Sequence, residues 1–480
     1  MNLWTQGRKA ATLIHNIMTK ETNKAPKQIL LKEAPIIRDR AALPILALAL
    51  PIILETYFRM LVSSADIIML SSFSQESVAG VGLVSQYIFF IQILFNVICI
   101  GTSIVLSQYL GGKRLEESRQ VIQASGVMVL VIGIFISFTV IFGAKPLLDL
   151  YRIAPDVRNF AWQYLVVFGG GGSVFMAFNM MQGTILRSYG YTRDAMYISF
   201  TANILNVIGN SISLYGFFGL PVFGVVGVAL SSAFSQFAAC LLLAWRIRAH
   251  SDIQFQLRGW QNVPRNIYKK ILSIGVPSAG ENLAYNISQI VIMMMVATLG
   301  TFAMSAQVYV QTIVRFVFAT SMSIGNAVQI KTGYYVGAKR SEEAYTKLYR
   351  YQIVGTLISI MLVLLLNLVK GPVIRIFTTI PEIASLTYSL LLISIYVETG
   401  RSLNLITIPA LKGAGDVRFP VLCGIISMWG ISVPGSYFLG LKLGLGLTGI
   451  WIAIGTDEMF RGIVMLFRWK SKRWLTKAIS

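Results

Sequence analysis

Tyr109-Leu-Gly-Gly-Lys-Arg-Leu-Glu-Glu117 returns 226 residues later as Tyr335-Val-Gly-Ala-Lys-Arg-Ser-Glu-Glu343. Two further correspondences keep the same order. Pro51-Ile-Ile-Leu-Glu55 matches Pro277-Ser-Ala-Gly-Glu281, and Leu186-Arg-Ser-Tyr-Gly190 matches Leu411-Lys-Gly-Ala-Gly415, with Arg193 against Arg418. Self-similarity at a fixed offset marks a duplicated architecture, so the chain reads as two halves. Between and around these motifs, from Ala41 to Arg468, lie about twelve apolar runs of roughly 20 or more residues, the length an α-helix needs to cross a bilayer core. Six spans per half is an even number, so both halves have the same orientation and form parallel repeats about an axis along the membrane normal. A central cavity between them is expected.

Composition agrees with this reading. Of 480 residues, 55% are apolar and 13% charged, and mean hydropathy is +0.67. A soluble chain is excluded, as are an outer-membrane barrel, which alternates over about ten residues, and disorder, which needs low hydrophobicity. The formal charge is +21, which in a soluble chain would raise the question of nucleic acid. Here topology accounts for it. With a cytoplasmic N-terminus, 31 Lys and Arg fall on inside segments, 6 on outside loops, and four (Arg59, Arg315, Arg401 and Arg461) within spans. The positive-inside rule then puts both termini in the cytoplasm. No nucleic acid is expected.

The expected organisation is a cytoplasmic N-terminal tail over residues 1–40, an N-lobe over 41–245, a cytoplasmic linker over 246–271, a C-lobe over 272–469 and a cytoplasmic tail over 470–480. The tail at 1–40 lacks the apolar core and cleavage site of a signal peptide. Cys99, Cys240 and Cys423 lie in apolar runs without CxxC spacing, and the only histidines, His15 and His250, fall outside the spans. Neither a zinc site, a disulfide framework nor an intramembrane histidine relay is suggested. With no nucleophile-base pair, an enzyme is not expected. No GxxxxGK[ST] motif is present for ATP. Parallel six-plus-six repeats are a plan of secondary transporters; a membrane receptor is the non-transport alternative.

Charges within spans are costly, about 2.5 to 3.5 kcal/mol each on insertion scales, so each is a candidate for function. In the first span Glu55, Arg59 and Asp66 fall within about 20° of one helical face. Glu55 and Arg59 can pair locally at i,i+4, whereas Asp66 has no local base and is the better proton or cation site. In the seventh span Glu281, Tyr285 and Gln289 follow Pro277 at i+4 steps, with Asn282 and Asn286 beside them, which reads as a cavity wall. In the eighth span Gln307, Gln311 and Arg315 repeat the spacing. Glu281 and Arg315 differ in depth by about 6 Å, within reach of a long side chain, so an ion pair is the alternative for Glu281. Glu398 with Arg401, and Asp457 and Glu458 with Arg461, form self-neutralising sets. Asn203, Asn206 and Asn210 line the fifth span as hydrogen-bonding groups or as packing contacts. A buried carboxyl has its proton affinity raised by desolvation, which suits proton or sodium exchange, and a cationic substrate would compete for the same field.

Pro51 and Asp66, the Tyr109-Leu-Gly-Gly-Lys-Arg114 loop, the Leu186-Arg-Ser-Tyr-Gly190 loop followed by Asn206, and the Gly224 to Ala229 run with its counterpart Gly446-Leu-Thr-Gly-Ile-Trp451 resemble the multidrug and toxic compound extrusion (MATE) family. Gly413-Ala-Gly-Asp-Val-Arg-Phe-Pro420, with Asp457-Glu458, Arg461-Gly462 and Arg468-Trp469, is similar to its NorM-like bacterial branch. The similarity runs from about Ile36 to Trp474. The resemblance implies an all-α polytopic membrane protein of twelve transmembrane helices in two lobes. It implies a multi-pass antiporter of the bacterial inner membrane that exports organic cations or amphipathic compounds against protons or sodium ions, with no cofactor, working as a monomer among membrane lipids. It assigns coupling to Asp66, a possible Na+ ligand, and places functional acids at Glu281 and, as a tenth-helix candidate, Glu398. Some members carry a fifth-helix aspartate four residues after an asparagine, where this chain has Asn210 after Asn206. The runner-up within the same fold group is a lipid-linked oligosaccharide flippase, which would use a cationic cavity for pyrophosphate.

Overall fold

A computed structural model describes residues 39–216, 221–254 and 259–479. Residues 1–38 of the expected N-terminal tail lie outside the described residues. What is described is helical, with no strand. Twelve long segments follow in order: α1 (Ile45–Phe73), α2 (Gln75–Gly111), α3 (Leu115–Asp149), α4 (Pro155–Tyr164, a π turn over Leu165–Gly171, then Ser173–Ser188), α5 (Thr192–Tyr215) and α6 (Gly224–Ala249). The second half holds α7 (Arg265–Thr298), α8 (Thr301–Gly337), α9 (Ser341–Leu368), α10 (Pro381–Gly413), α11 (Arg418–Lys442, with two π stretches) and α12 (Gly446–Lys470). Among the described residues eight helices are long and apolar enough to cross a membrane, or nine counting α4, which bends by 50° after its π turn. The segments that fall short are α5, α7 and α12, and their composition explains it: they carry Asn206 and Asn210, Glu281 and Asn282, and Asp457, Glu458 and Arg461. Polar residues that build a site lower the hydropathy of the helix that presents them.

The repeated nine-residue motif folds the same way twice. Lys113 and Lys339 both adopt the left-handed conformation, at φ 57° and 60°. Each turn is closed by a backbone bond, Arg114 N–H to Tyr109 C=O at 2.9 Å and Arg340 N–H to Tyr335 C=O at 2.8 Å. The acidic pairs that follow, Glu116-Glu117 and Glu342-Glu343, start α3 and α9, where negative charge favours a helix N-terminus. The motif is thus a joint between two long helices. Gly190 and Gly415 form a second matched pair of turns, both at positive φ.

The halves meet closely at the end that carries these joints. Residues 101–110 of α2 and most of 323–337 of α8 are buried. Gly101 and Gly275 make the crossing of α2 over α7 possible, since a Cβ on Gly275 would lie 1.9 Å from the Val97 carbonyl oxygen and one on Gly101 2.2 Å from that of Ile271. Lys331, 2% exposed, donates to the carbonyl oxygens of Ala41 and Leu43. Arg40 bonds Asp252 at 2.5 Å, and Arg340 bonds Asp39 at 3.0 Å. The C-terminal segment, expected as a tail over 470–480, also packs here. Trp474 stacks on Trp469 with centroids 4.2 Å apart, and Ile479 N–H donates to Gln108 Oε1 at 2.8 Å. These aromatic and backbone contacts order the segment because they remove large apolar rings from water. The expected linker at 246–271 is shorter, since α6 extends to Ala249 and α7 begins at Arg265.

Candidate functional site

The sequence repeat also repeats an ion pair. Glu55 of α1 and Glu281 of α7 are the acids of the matched Pro-x-x-x-Glu motifs, and Arg187 of α4 and Lys412 of α10 are the cations of the matched loop motifs. In the folded chain they find each other within each half: Arg187 Nη1 lies 3.0 Å from Glu55 Oε2, and Lys412 Nζ lies 2.6 Å from Glu281 Oε2. Glu55 also accepts from Arg59 at 2.7 Å, the local pair expected from i,i+4 spacing. For Glu281 the partner is Lys412 rather than Arg315, because Arg315 is exposed and farther along α8. The sequence counted Arg187 and Lys412 among loop charges. They are helical residues because α4 runs to Ser188 and α10 to Gly413.

The second half adds a larger network. Glu398, fully buried, bonds Arg401, which also reaches Glu458 at 3.4 Å. Arg461 bridges Asp457 at 2.9 Å and Glu458 at 3.1 Å. Asn404 donates to Glu458 at 2.6 Å, and Ser427, at a π stretch of α11, donates to Asp457. Buried charges survive only when neutralised and hydrogen-bonded, and here every acid has a cationic partner.

Both sets open on one cavity of about 510 Å³ between the halves, whose lining reaches the seam at Ser103, Gln329 and Ile330. Its wall includes Glu55, Arg59, Arg187, Glu281, Arg401, Lys412, Glu458 and Arg461, with apolar patches from Ile100, Phe318 and Met322. Of the expected site residues, Glu55, Glu281, Asn282 and Tyr285 line it, and Glu398 stands behind Arg401. Asn286, Gln289, Gln311 and Arg315 are not in the lining. Gln311 and Arg315 do continue the stripe of Phe318, Met322, Asn326 and Gln329 along α8, at steps of three and four residues. Asn96 and Asn404 are lining groups that the sequence reading did not single out. Asn96 falls in a long apolar run, where Gln92 at i−4 is the signal that could have marked it.

Asp66 is elsewhere, inside the first half. It accepts from Asn210 Nδ2 at 2.9 Å, Asn210 lies 3.4 Å from Asn206 Oδ1, and Asn206 donates to Ser232 at 3.1 Å. Asn210 is 1% exposed and its Oδ1 has no hydrogen-bond partner among the described residues. Asn206, Asn210 and the first-span acid therefore form one cluster, which the helical faces alone did not reveal, while Asn203 donates to the Ser199 carbonyl within α5. At the 226-residue offset Asp66 corresponds to Ile292, so the cluster belongs to one half only.

The MatE family model matches twice, over residues 51–212 and 277–438, which reproduces the internal offset of 226. Over 434 residues the chain is 36% identical to an uncharacterized transporter, YisQ, of Bacillus subtilis, covering 90% of this chain and 95% of that one. It is 26% identical to a probable multidrug resistance protein, NorM, of Thermotoga maritima, covering 95% and 96%. Among solved structures, one of MATE in the straight conformation superposes with a TM-score of 0.81 at 23% identity, covering 90% and 96%. Two copies of the family model, two matched ion pairs and the shared fold agree: the chain belongs to the MatE family of membrane transporters.

Proposed function

We propose that this protein is a secondary active efflux transporter that exports amphipathic small molecules by alternating access of the central cavity, in exchange for protons or sodium ions. The observation that carries the reading is the cavity itself, lined by both halves and closed at one end by their seam. Parallel repeats meeting at a midplane site can rock about bound cargo, and relatives named as multidrug resistance proteins support drug efflux as the role. All twelve segments then span the bacterial plasma membrane, with the basic joints and both termini cytoplasmic, so the state described is open to the outside. Asp66 is the coupling acid: its carboxylate and the unpartnered Asn210 oxygen are hard oxygen donors suited to Na+, and the same carboxylate accepts a proton. No cofactor takes part.

The test reconstitutes the protein in liposomes and follows one cationic and one anionic fluorescent dye while sodium and proton gradients are imposed separately. Movement of either dye driven by one gradient identifies the coupling ion. Movement of neither, from folded protein, overturns the reading.

A further inference from the structure

We propose that the cargo of the central cavity carries a negatively charged group, a carboxylate or a phosphate, on an apolar body. The proposal rests on the transport reading and specifies what is transported. Organic cations, the expectation from the sequence, require carboxylates free to receive them. Five cations and three carboxylates line the cavity, with Glu398 and Asp457 bonded to Arg401 and Arg461 behind that lining, and each of the lining carboxylates is already paired.

Exposure has the same sign. The side chain of Arg59 is 62% exposed against 6% for Glu55, Arg187 is 25% exposed, and Arg401 is 12% exposed against 0% for Glu398. At Glu55 an entering molecule meets the guanidinium groups of Arg59 and Arg187 with the carboxylate behind them, whereas Lys412 and Glu281, at 12% and 11%, and Arg461 and Glu458, at 7% and 6%, are equally covered. An organic cation would have to displace an internal cation and leave it unpaired, which is costly in a desolvated site. An anion meets donors to spare, because Arg59 gives Glu55 one of its five N–H groups. The planar fork of arginine matches carboxylate and phosphate in two-point contact, and Arg59 and Arg187 bring two forks to one wall. Ile100, Phe318 and Met322 in the same lining supply an apolar surface. The volume suits a drug-sized molecule or a lipid headgroup, in the usual range of ligand pockets.

Binding of two dyes with the same xanthene ring, anionic fluorescein and cationic rhodamine, is measured by fluorescence polarisation on the purified full-length protein without any gradient. Short-chain phosphatidic acid serves as a competitor. Saturable fluorescein binding that weakens about tenfold in Arg59→Gln, with rhodamine unchanged, is the expected result. Glu55→Gln, which removes the competing carboxylate from Arg59 and Arg187, should tighten fluorescein. Displacement by a soluble aryl carboxylate assigns the anion to a free solute. Competition by phosphatidic acid alone assigns it to a lipid headgroup. Rhodamine binding tighter than fluorescein, or equal loss of both dyes in Arg59→Gln, overturns the proposal. Since no gradient is used, such a failure is separate from a failure of transport in liposomes.

Discussion

Asp66 and Glu55 are eleven residues apart on one helix, yet their surroundings give them different work. Glu55 is held by two arginines, while among the described residues Asp66 accepts from the Asn210 amide and is paired with no cation. A carboxylate without a cation is free to exchange its own, so Asp66→Asn should abolish gradient-driven export while preserving the fold, since an amide oxygen still accepts from Asn210. Wild-type export by that variant in liposomes would remove Asp66 from the coupling role. The buried pair of Glu281 and Lys412 makes the opposite prediction. Lys412→Met leaves an uncompensated buried carboxylate and should cost about 3–5 kcal/mol, whereas Glu281→Gln with Lys412→Met should recover most of it. Thermal unfolding in detergent compares the two. The acids were legible because carboxylates stand out in apolar runs. Their partners were less so: Arg187 and Lys412 sit beside glycine turns and read as loop charges, although their repetition at matched positions was visible in the sequence.

Helices set where the halves touch, and glycine decides how closely. At Gly275 a side chain would have to share space with the Val97 carbonyl oxygen at 1.9 Å, so Gly275→Val should prevent the α2 and α7 crossing from closing. With the native cysteines replaced, a reporter Ser107→Cys in the seam should then be alkylated by an aqueous maleimide about tenfold faster or more, as expected when a packed site gains access to water. Unchanged protection would show that the crossing does not control the seam. At the start of α5, Asp194 bonds Arg246 at 3.0 Å and His250 at 2.7 Å. Burial alone would raise its carboxyl, but the hydrogen bonds and charges of Arg246 and His250 outweigh it and hold the group below the ordinary value of 3.8. Its contribution to stability is therefore present above the unfolded carboxylate range and lost only as pH falls through the lower folded value. Asp194→Asn should lower the melting temperature at pH 6, and the difference from wild type should vanish in strong acid. Helix positions and the duplication were legible from apolar periodicity and the repeat. The ordered C-terminal segment was not, because Trp474 and Ile479 pack through tertiary contacts that no local period announces.

The repeat has its full consequence at the scale of the molecule. α1 packs on α8 as α7 packs on α2, so the two halves share a contact that is approximately its own image, and a rocking motion must break and remake both sides together. Thr56 of α1 and Ser323 of α8 face each other across that contact with hydroxyl oxygens 3.4 Å apart. Alternating access requires these helices to separate at the level of the cavity, whereas a fixed pore or a receptor does not. In a background without Cys99, Cys240 and Cys423, the pair Thr56→Cys and Ser323→Cys is placed to form a disulfide across the halves under mild oxidation, since thiols at that separation need only small rotations to bond. Dye export by the double variant in liposomes should fall to about a tenth or less when oxidised and return on reduction, as expected when one of two required states is removed. The single cysteine variants, which cannot bridge the halves, should export in both conditions. Export that continues through the oxidised pair, with the cross-link verified by mass spectrometry, would mean that cargo passes without relative movement of α1 and α8, and rocking of the halves would have to be abandoned.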